Sequence, residues 1–528
     1  MDAYPQQATP GGERYPEAQD AIDRQVRSGA LLVNYIGHGG DRGWAHERVL
    51  NTSTIGAWDN VDRMPLFFTA TCELARFDDP DLETAGEMMV MNPKGGAIAM
   101  MTTTRVVYSY ANEQLNTAFF NVVFDAPPGE QQRLGDILKR TKNHPSSGAS
   151  SNKRNFTLLG DVALRLATPR LEVRTSEING VPVDAWADTL SALEEVLVQG
   201  YVSDAAGNVM TNFNGFVYPT VFDQKSEVTT LNNDGGTAGV TYTEWRNRIH
   251  SGAVRAENGV FSFEFIVPRD IAYESAPGRI SYYAVDGEVD AHGFTETVFI
   301  GGVSEDAVLD NVGPEIELFL NDTGFVNGGT TDPHPILFAR VKDEQGLNTV
   351  GNGIGHDLKA TLDNETSVVL NEFYASDLDT YQSGRVVYPL SDLEEGPHVL
   401  SLKAWDVHNN SATAKLDFVV VSDLEVFLDG LVNYPNPIRA QGTTFRFDHN
   451  QACVALEMSL QIYDSRGVVV WSGQRTETPT GYRVDGWHWD GTSSGGEPLG
   501  MGTYLYRLDI RTPEGRDAAK TGRLVLLH

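Results

Sequence analysis

Three short, nearly continuous apolar runs mark the opening part of the chain: LLVNYIG (31–37), MPLFFTAT (64–71) and GGAIAMMTT (95–103). Apolar residues without alternation are what a strand buried on both faces requires. Between and around them, AQDAIDRQVRSG (18–29), ETAGEMMVMN (83–92), NEQLNTAFFNVVF (112–124) and RLGDILKRTKN (133–143) carry apolar residues at helical spacing. Strands separated by helices at this interval predict a parallel sheet joined by right-handed crossovers, an α/β unit over residues 1–170. Three strands make a thin sheet. Further strands are therefore expected upstream of Met1, in a chain that begins partway through a domain. Residues 1–17 hold neither a signal-peptide pattern nor a recognisable first element.

After Pro169 the period changes to two. EVLVQGYVSD (195–204), FSFEFIVP (261–268), ISYYAVDG (280–287) and ETVFIGG (296–302) alternate between turn signals, which predicts a β-sandwich over 171–305. A second set, with EIELFLND (315–322), ILFARVKDEQG (336–346) and KLDFVVV (415–421), predicts another over 306–425. The last segment, 426–528, reads as all-β with glycine-rich hairpins.

Composition narrows the function. The 72 acidic and 40 basic residues leave a net charge of −32, so no basic stripe exists to neutralise phosphates and nucleic acid is excluded as a partner. No apolar run approaches the length of a membrane-spanning helix. The 2 cysteines, Cys72 and Cys453, lie in different segments, which rules out a disulfide framework. Cys453, in NQACVALEMSL, reads as core packing.

Candidate chemistry sits where two of the predicted strands end. His38 follows the first apolar run in GHGG, and Cys72 follows the second, 34 positions later, in TATC. Reacting groups in a parallel sheet gather at the carboxyl ends of strands. A thiol there needs an imidazole to take its proton or to form an ion pair with it. Gly39 and Gly40 allow close backbone approach, and the amides of Gly39 and Cys72 could face a developing oxyanion. Taken singly, such a cysteine is a small buried hydrophobe and such a histidine a turn residue. Their shared placement at consecutive strand ends raises a dyad to an equal alternative. RFDDPDLE (76–83) could select basic substrate residues or hold calcium, but carboxylates also favour a helix start on dipole grounds alone. NNDGG (232–236) and LDNETS (362–367) lack the length and terminal glutamate of an EF-hand loop and read as surface turns.

The residues of GHGG, FFTATCELARFDDP, GGAIAMMTTTR and NFTLLGDVALRLATP resemble the gingipain-type cysteine peptidases, the clan CD, caspase-like family C25, and in particular its sortase branch. The likeness is dense over residues 1–170. It implies a caspase-like parallel sheet, here partial, with Cys72 as nucleophile, His38 as catalytic histidine, and the amides of Gly39 and Cys72 as oxyanion-hole donors. The acid that orients the histidine in this family comes from upstream of its motif; Asp41, Glu47 and Glu73 are nearby carboxylates to which the role is not assigned. Val162 stands where the family commonly has proline, a position away from the dyad. The modules after residue 170 resemble bacterial immunoglobulin-like domains, and YPNP with the later WDG, GTYLYRL and GRLVLL resemble the C-terminal domains of type IX secreted proteins. The implied function is a cell-surface peptidase and transpeptidase at the outer membrane. It would remove C-terminal signal domains from type IX cargo proteins, work with an outer-membrane secretion partner, and pass the cargo to a glycolipid amine. No cofactor is implied, and a structural calcium stays open. A secreted gingipain-like endopeptidase and a non-catalytic binding module are the alternatives.

Overall fold

The computed structural model describes the chain apart from residues 127–129, 234, 236–237, 305–306, 308–309, 351–354, 392, 422–427, 440, 450–454, 480–482, 514, 516 and 528. Cys453 and the expected boundaries at 305/306 and 425/426 lie outside the described residues. The protein is multidomain and mostly β.

Its N-terminal unit is built on a four-stranded sheet of β1 (Leu32–Ile36), β2 (Leu66–Ala70), β3 (Ala99–Thr103) and β4 (Phe156–Leu159), in that spatial order. The first three are parallel, as their unalternated apolar runs predict. Helices α1 (Pro16–Ser28), α2 (Ala85–Met91), α3 (Ser109–Val123) and α4 (Leu134–Asn143) flank them. The central strand shows why the runs do not alternate. Phe67 packs with Val26, Trp58 and Met89 on one face, while Leu66, Phe68 and Ala70 pack with Leu115, Phe119 and Ile137 on the other. Both faces are covered, so every position in β2 is buried.

β4 corrects the three-strand expectation. It runs antiparallel to β3, with Thr103 opposite Phe156 and Met100 opposite Leu159. Only Phe156 of its four residues is fully buried, so its apolar run is too short to stand out from the polar flanks.

Beyond residue 170 the chain forms sheets whose alternate side chains meet in shared cores. A nine-stranded sheet and a three-stranded sheet, between Leu171 and Val303, share one core that includes Val198, Phe263 and Ile300. Four- and five-stranded sheets between Glu315 and Val420 pack on another, through Leu337, Val386, Leu402 and Phe418. A seven-stranded sheet from Leu428 to Leu526 carries the last core, around Phe445, Trp489 and Tyr506.

Candidate active site

The pairing of β1 with β2 sets Ile36 opposite Ala70, an offset of 34 residues. His38 and Cys72 share that offset, so each stands two residues past the carboxyl end of its strand on neighbouring strands. The amide of Gly37 continues the contact by donating to Ala70 O at 3.3 Å. At Gly39 the loop touches the β2 extension directly: a Cβ there would meet Thr71 Oγ1, and would lie 2.7 Å from Gly43 O. The histidine loop is therefore seated against the residue that precedes the thiol.

That loop is a tight hairpin. Gly39 pairs with Trp44 and Gly40 with Gly43, and Ala45 N donates to His38 O at 2.8 Å. The last bond makes Gly39 and Trp44 the non-hydrogen-bonded pair of the ladder, so Gly39 N–H is not consumed by it. Trp44 wedges the hairpin onto the domain: its buried ring stacks on Tyr35 at 4.4 Å and packs against Phe67. The Tyr35 hydroxyl in turn donates to His38 O at 2.6 Å. Burial, with a smaller contribution from the Glu47 charge, pushes that phenol up to about 12, so it remains a donor through the physiological range. His38 itself is exposed and its ring lies 5.5 Å from the His46 ring, nearly parallel to it.

Cys72 is half-buried, and its Sγ donates to Val107 O at 3.5 Å. The chain then turns sharply: Glu73 adopts φ of 53°, Glu73 N donates to Arg105 O, and Ala75 N to Thr103 O. Among the described residues the Cys72 amide has no hydrogen-bond partner. Beneath it a buried polar relay fixes the end of β2. Asn112 Nδ2 donates to Ala70 O at 3.2 Å, Asn152 Nδ2 donates to Asn112 Oδ1, and Asn152 Oδ1 accepts from Tyr108 N.

The structure brings the two strand ends together, but no hydrogen bond joins His38 to Cys72 among the described residues. None of the nearby carboxylates bonds the imidazole either. Asp41 contributes its backbone carbonyl, accepting from Ala85 N at 2.6 Å, and Glu73 lies 3.9 Å from Arg76. Two of the four acids of 76–83 are held by arginines: Arg105 grips Asp78 through both terminal nitrogens and Arg76 pairs with Asp79 at 3.2 Å, around a depression of about 360 Å³. Those carboxylates are therefore largely satisfied within the protein. LDNETS forms the turn between strands Lys359–Leu362 and Thr366–Val369, with Asp363 and Asn364 at positive φ. In NNDGG, residues 234 and 236 lie outside the described residues, while Asn232 N and Asn233 N donate to Asp2.

Sequence reasoning missed His46, Thr71 and the 104–108 loop. A hairpin reading of GGDRGW would have found His46, since folding Gly39 onto Trp44 returns residues 45 and 46 alongside His38. Among the described residues, one group of carboxylates could hold a metal ion: Asp343 and Asp406 of the 315–420 unit with Asp310 just ahead of it, whose oxygens lie within 4.8 Å of one another. Asn410 already donates to Asp406 there, at 2.8 Å. No helix among the described residues is long and apolar enough to cross a membrane.

Residues 1–167 match the family model of Peptidase family C25. No curated protein matches the sequence. Among solved structures, dimeric latent PorU from Porphyromonas gingivalis is 30% identical over 82% of this chain and 41% of its own, with a TM-score of 0.33. The RgpB pro- and mature-domain complex from the same organism is 14% identical over 52% of this chain and 57% of its own, with a TM-score of 0.26. The chain thus spans less than half the length of that PorU.

Proposed function

Taking residues 1–167 as a gingipain-type segment of peptidase family C25, we propose that the protein is a cell-surface cysteine peptidase that finishes its reaction as a transpeptidase. The observation that supports the peptidase reading is the register of β1 and β2, since His38 and Cys72 each follow by two residues the paired carboxyl ends where reacting groups collect. Cys72 attacks the carbonyl carbon at the junction between a cargo protein and its C-terminal signal domain. The carbonyl oxygen becomes an oxyanion facing the amides of Gly39 and Cys72. Collapse of that intermediate breaks the C–N bond; His38 gives the leaving amine a proton, and cargo remains as a thioester on Sγ. An amine on a surface glycolipid then attacks the thioester, loses a proton to His38, and releases the thiol. The resemblance to family C25 sortases supports this cargo and acceptor, together with an outer-membrane location and secretion partner.

The test is intact-mass spectrometry of the full chain incubated with a cargo peptide spanning the junction. A thioester adduct should form on the parent protein, exchange onto added glycine amide, and be absent from Cys72→Ala. An adduct that water alone discharges favours a secreted endopeptidase, as does loss of residues 426–528 from the mature protein. Undiminished cargo release in cells carrying Cys72→Ala overturns the enzyme reading.

A further inference from the structure

The nine-stranded sheet ends on the strand Val260–Ile266, which is bonded on one side only, to Glu195–Ser203. Its free side can be read from the ladder. Val267 N donates to Glu194 O and Val202 N to Gly259 O, which makes Glu195–Ile266, Leu197–Glu264, Gln199–Ser262 and Tyr201–Val260 the non-hydrogen-bonded pairs. The N–H and C=O groups of Ser262 and Glu264 therefore point away from the sheet. Val260 is satisfied by the turn, exchanging both bonds with Glu257.

Among the described residues no strand pairs with this edge. The preceding strand, Val254–Ala256, pairs instead with Gly215–Val217, so the chain diverges after the Asn258 turn and opens a cleft of about 960 Å³. Residues 252–255 and Asp379–Gln382 of the following unit also line it. The charge of the cleft is one-sided. Glu177, Glu195, Glu257 and Glu264 line it without a cationic partner among the described residues, while Arg255 is bound to Asp379 at 2.7 Å. The inner face differs. Phe261 and Phe263 lie there with His250, which is 7% exposed and stacks on Phe263 and Phe265, its ring making no hydrogen bond among the described residues. Burial holds that imidazole down to about 4, leaving a neutral donor and acceptor beside the cleft.

An unpaired edge beside an open cleft, with acidic residues on one face of the strand and aromatic residues on the other, points to one kind of occupant. We propose that this cleft binds an extended polypeptide segment that adds as a strand to residues 260–266, with lysine or arginine on the side of Glu195 and Glu264 and apolar residues on the side of Phe261, Phe263 and His250. Main-chain bonds to Ser262 and Glu264 supply the register, and the alternate side chains supply selectivity. The proposal is independent of the peptidase reading.

The test uses the full chain carrying Cys72→Ala, so that cleavage cannot intervene. The probe is a fluorescein-labelled, acetylated and amidated eight-residue peptide alternating lysine and valine, followed by anisotropy. Saturable binding is expected, weaker by about tenfold or more for the glutamate–valine peptide and for the double variant Glu195→Lys/Glu264→Lys. A lysine–valine peptide N-methylated at alternate residues should bind at least about tenfold more weakly, as should Ser262→Pro on the protein side, which removes one edge donor. If Ser262→Pro does not fold, by circular dichroism, the N-methylated peptide decides on the unaltered edge. Absence of saturable binding overturns the proposal. Equal affinity for the N-methylated peptide also overturns it, because attraction to a chain of net charge −32 would then suffice. So does light scattering that shows a dimer dissociated by Ser262→Pro, which would assign the edge to a second copy.

Discussion

Gly39 is held to glycine by contact rather than by backbone angle. Any side chain would meet Thr71 Oγ1 and the carbonyl of Gly43, and neither can swing away, since one is buried at the end of β2 and the other is backbone. At Gly40, its neighbour, an added Cβ would have nothing within 4 Å. Gly39→Ala should therefore lift the histidine hairpin off the Cys72 turn, while Gly40→Ala should leave it seated. Expected for Gly39→Ala are a loss of about 1–3 kcal/mol in urea unfolding and a fall in peptide cleavage of about a hundredfold, since small misplacements of reacting groups are costly. Gly40→Ala should stay near the parent in both; equal losses in the two variants would overturn the contact argument. The spacing of 34 residues makes the matched strand-end positions of His38 and Cys72 legible in the sequence, because it equals the offset between the two strands. The surroundings of the imidazole are not legible in the same way. His46 arrives through the hairpin fold and Thr71 through a strand register, neither of which is a local pattern.

Elements are legible where an unbroken apolar run is long enough to stand out. β2 and β3, buried at every position, fall inside the predicted runs, and so does β1, although none of its residues is fully buried; β4, four residues long with one fully buried, carries no comparable signal. The helix predicted over 83–92 begins at Ala85 because Thr84 is its cap. Thr84 Oγ1 accepts from Glu87 N, and Glu87 Oε2 accepts from Thr84 N at 2.9 Å, a reciprocal capping box. This short helix joins both loops of the candidate site: Ala85 N donates to Asp41 O, and Gly86 N to Leu74 O at 2.8 Å. Thr84→Ala should cost about 1 kcal/mol in denaturant unfolding, with Thr84→Ser close to the parent. Because the helix start ties the histidine loop to the cysteine turn, Thr84→Ala should also slow cleavage in the folded protein. A stability loss with unchanged cleavage would reduce the helix to a local element.

At the scale of the whole molecule, two buried polar groups bear on the stability of the β-units, and the second also joins them. Asp343 is nearly buried beside Asp406 and Asp310, and burial, with repulsion from those carboxylates, pushes it up to about 6. Its native form keeps a proton that the unfolded chain gives up near pH 4, so stability falls as pH rises from about 4 to about 6 and the penalty is complete above that. Asp343→Asn should therefore be more stable than the parent at pH 8, by at most about 3 kcal/mol, and equal to it near pH 4, in buffer containing EDTA so that no cation neutralises the group. A stabilisation independent of pH would assign the effect to packing instead. The second group is the junction. Asp270, from the first β-unit, accepts from Asn348 Nδ2 and Asn409 Nδ2 of the second at 2.8 Å each, and its Oδ2 is 2.6 Å from His356 Nδ1. Arg269 N donates to Val407 O beside it, and Val350 of the second unit is buried in the core of the first. Shared core and shared polar centre make the two units one cooperative block, so calorimetry of the full chain should show them melting in a single transition. Asp270→Ala removes the acceptor shared by buried Asn348 and half-buried Asn409 and His356, a loss of about 3 kcal/mol. Because those donors all belong to the second unit, the variant should split the transition in two, with the first unit retaining its parent midpoint more closely. Two transitions already present in the parent, or one unchanged in Asp270→Ala, would mean that the junction is only a contact and that the units fold apart.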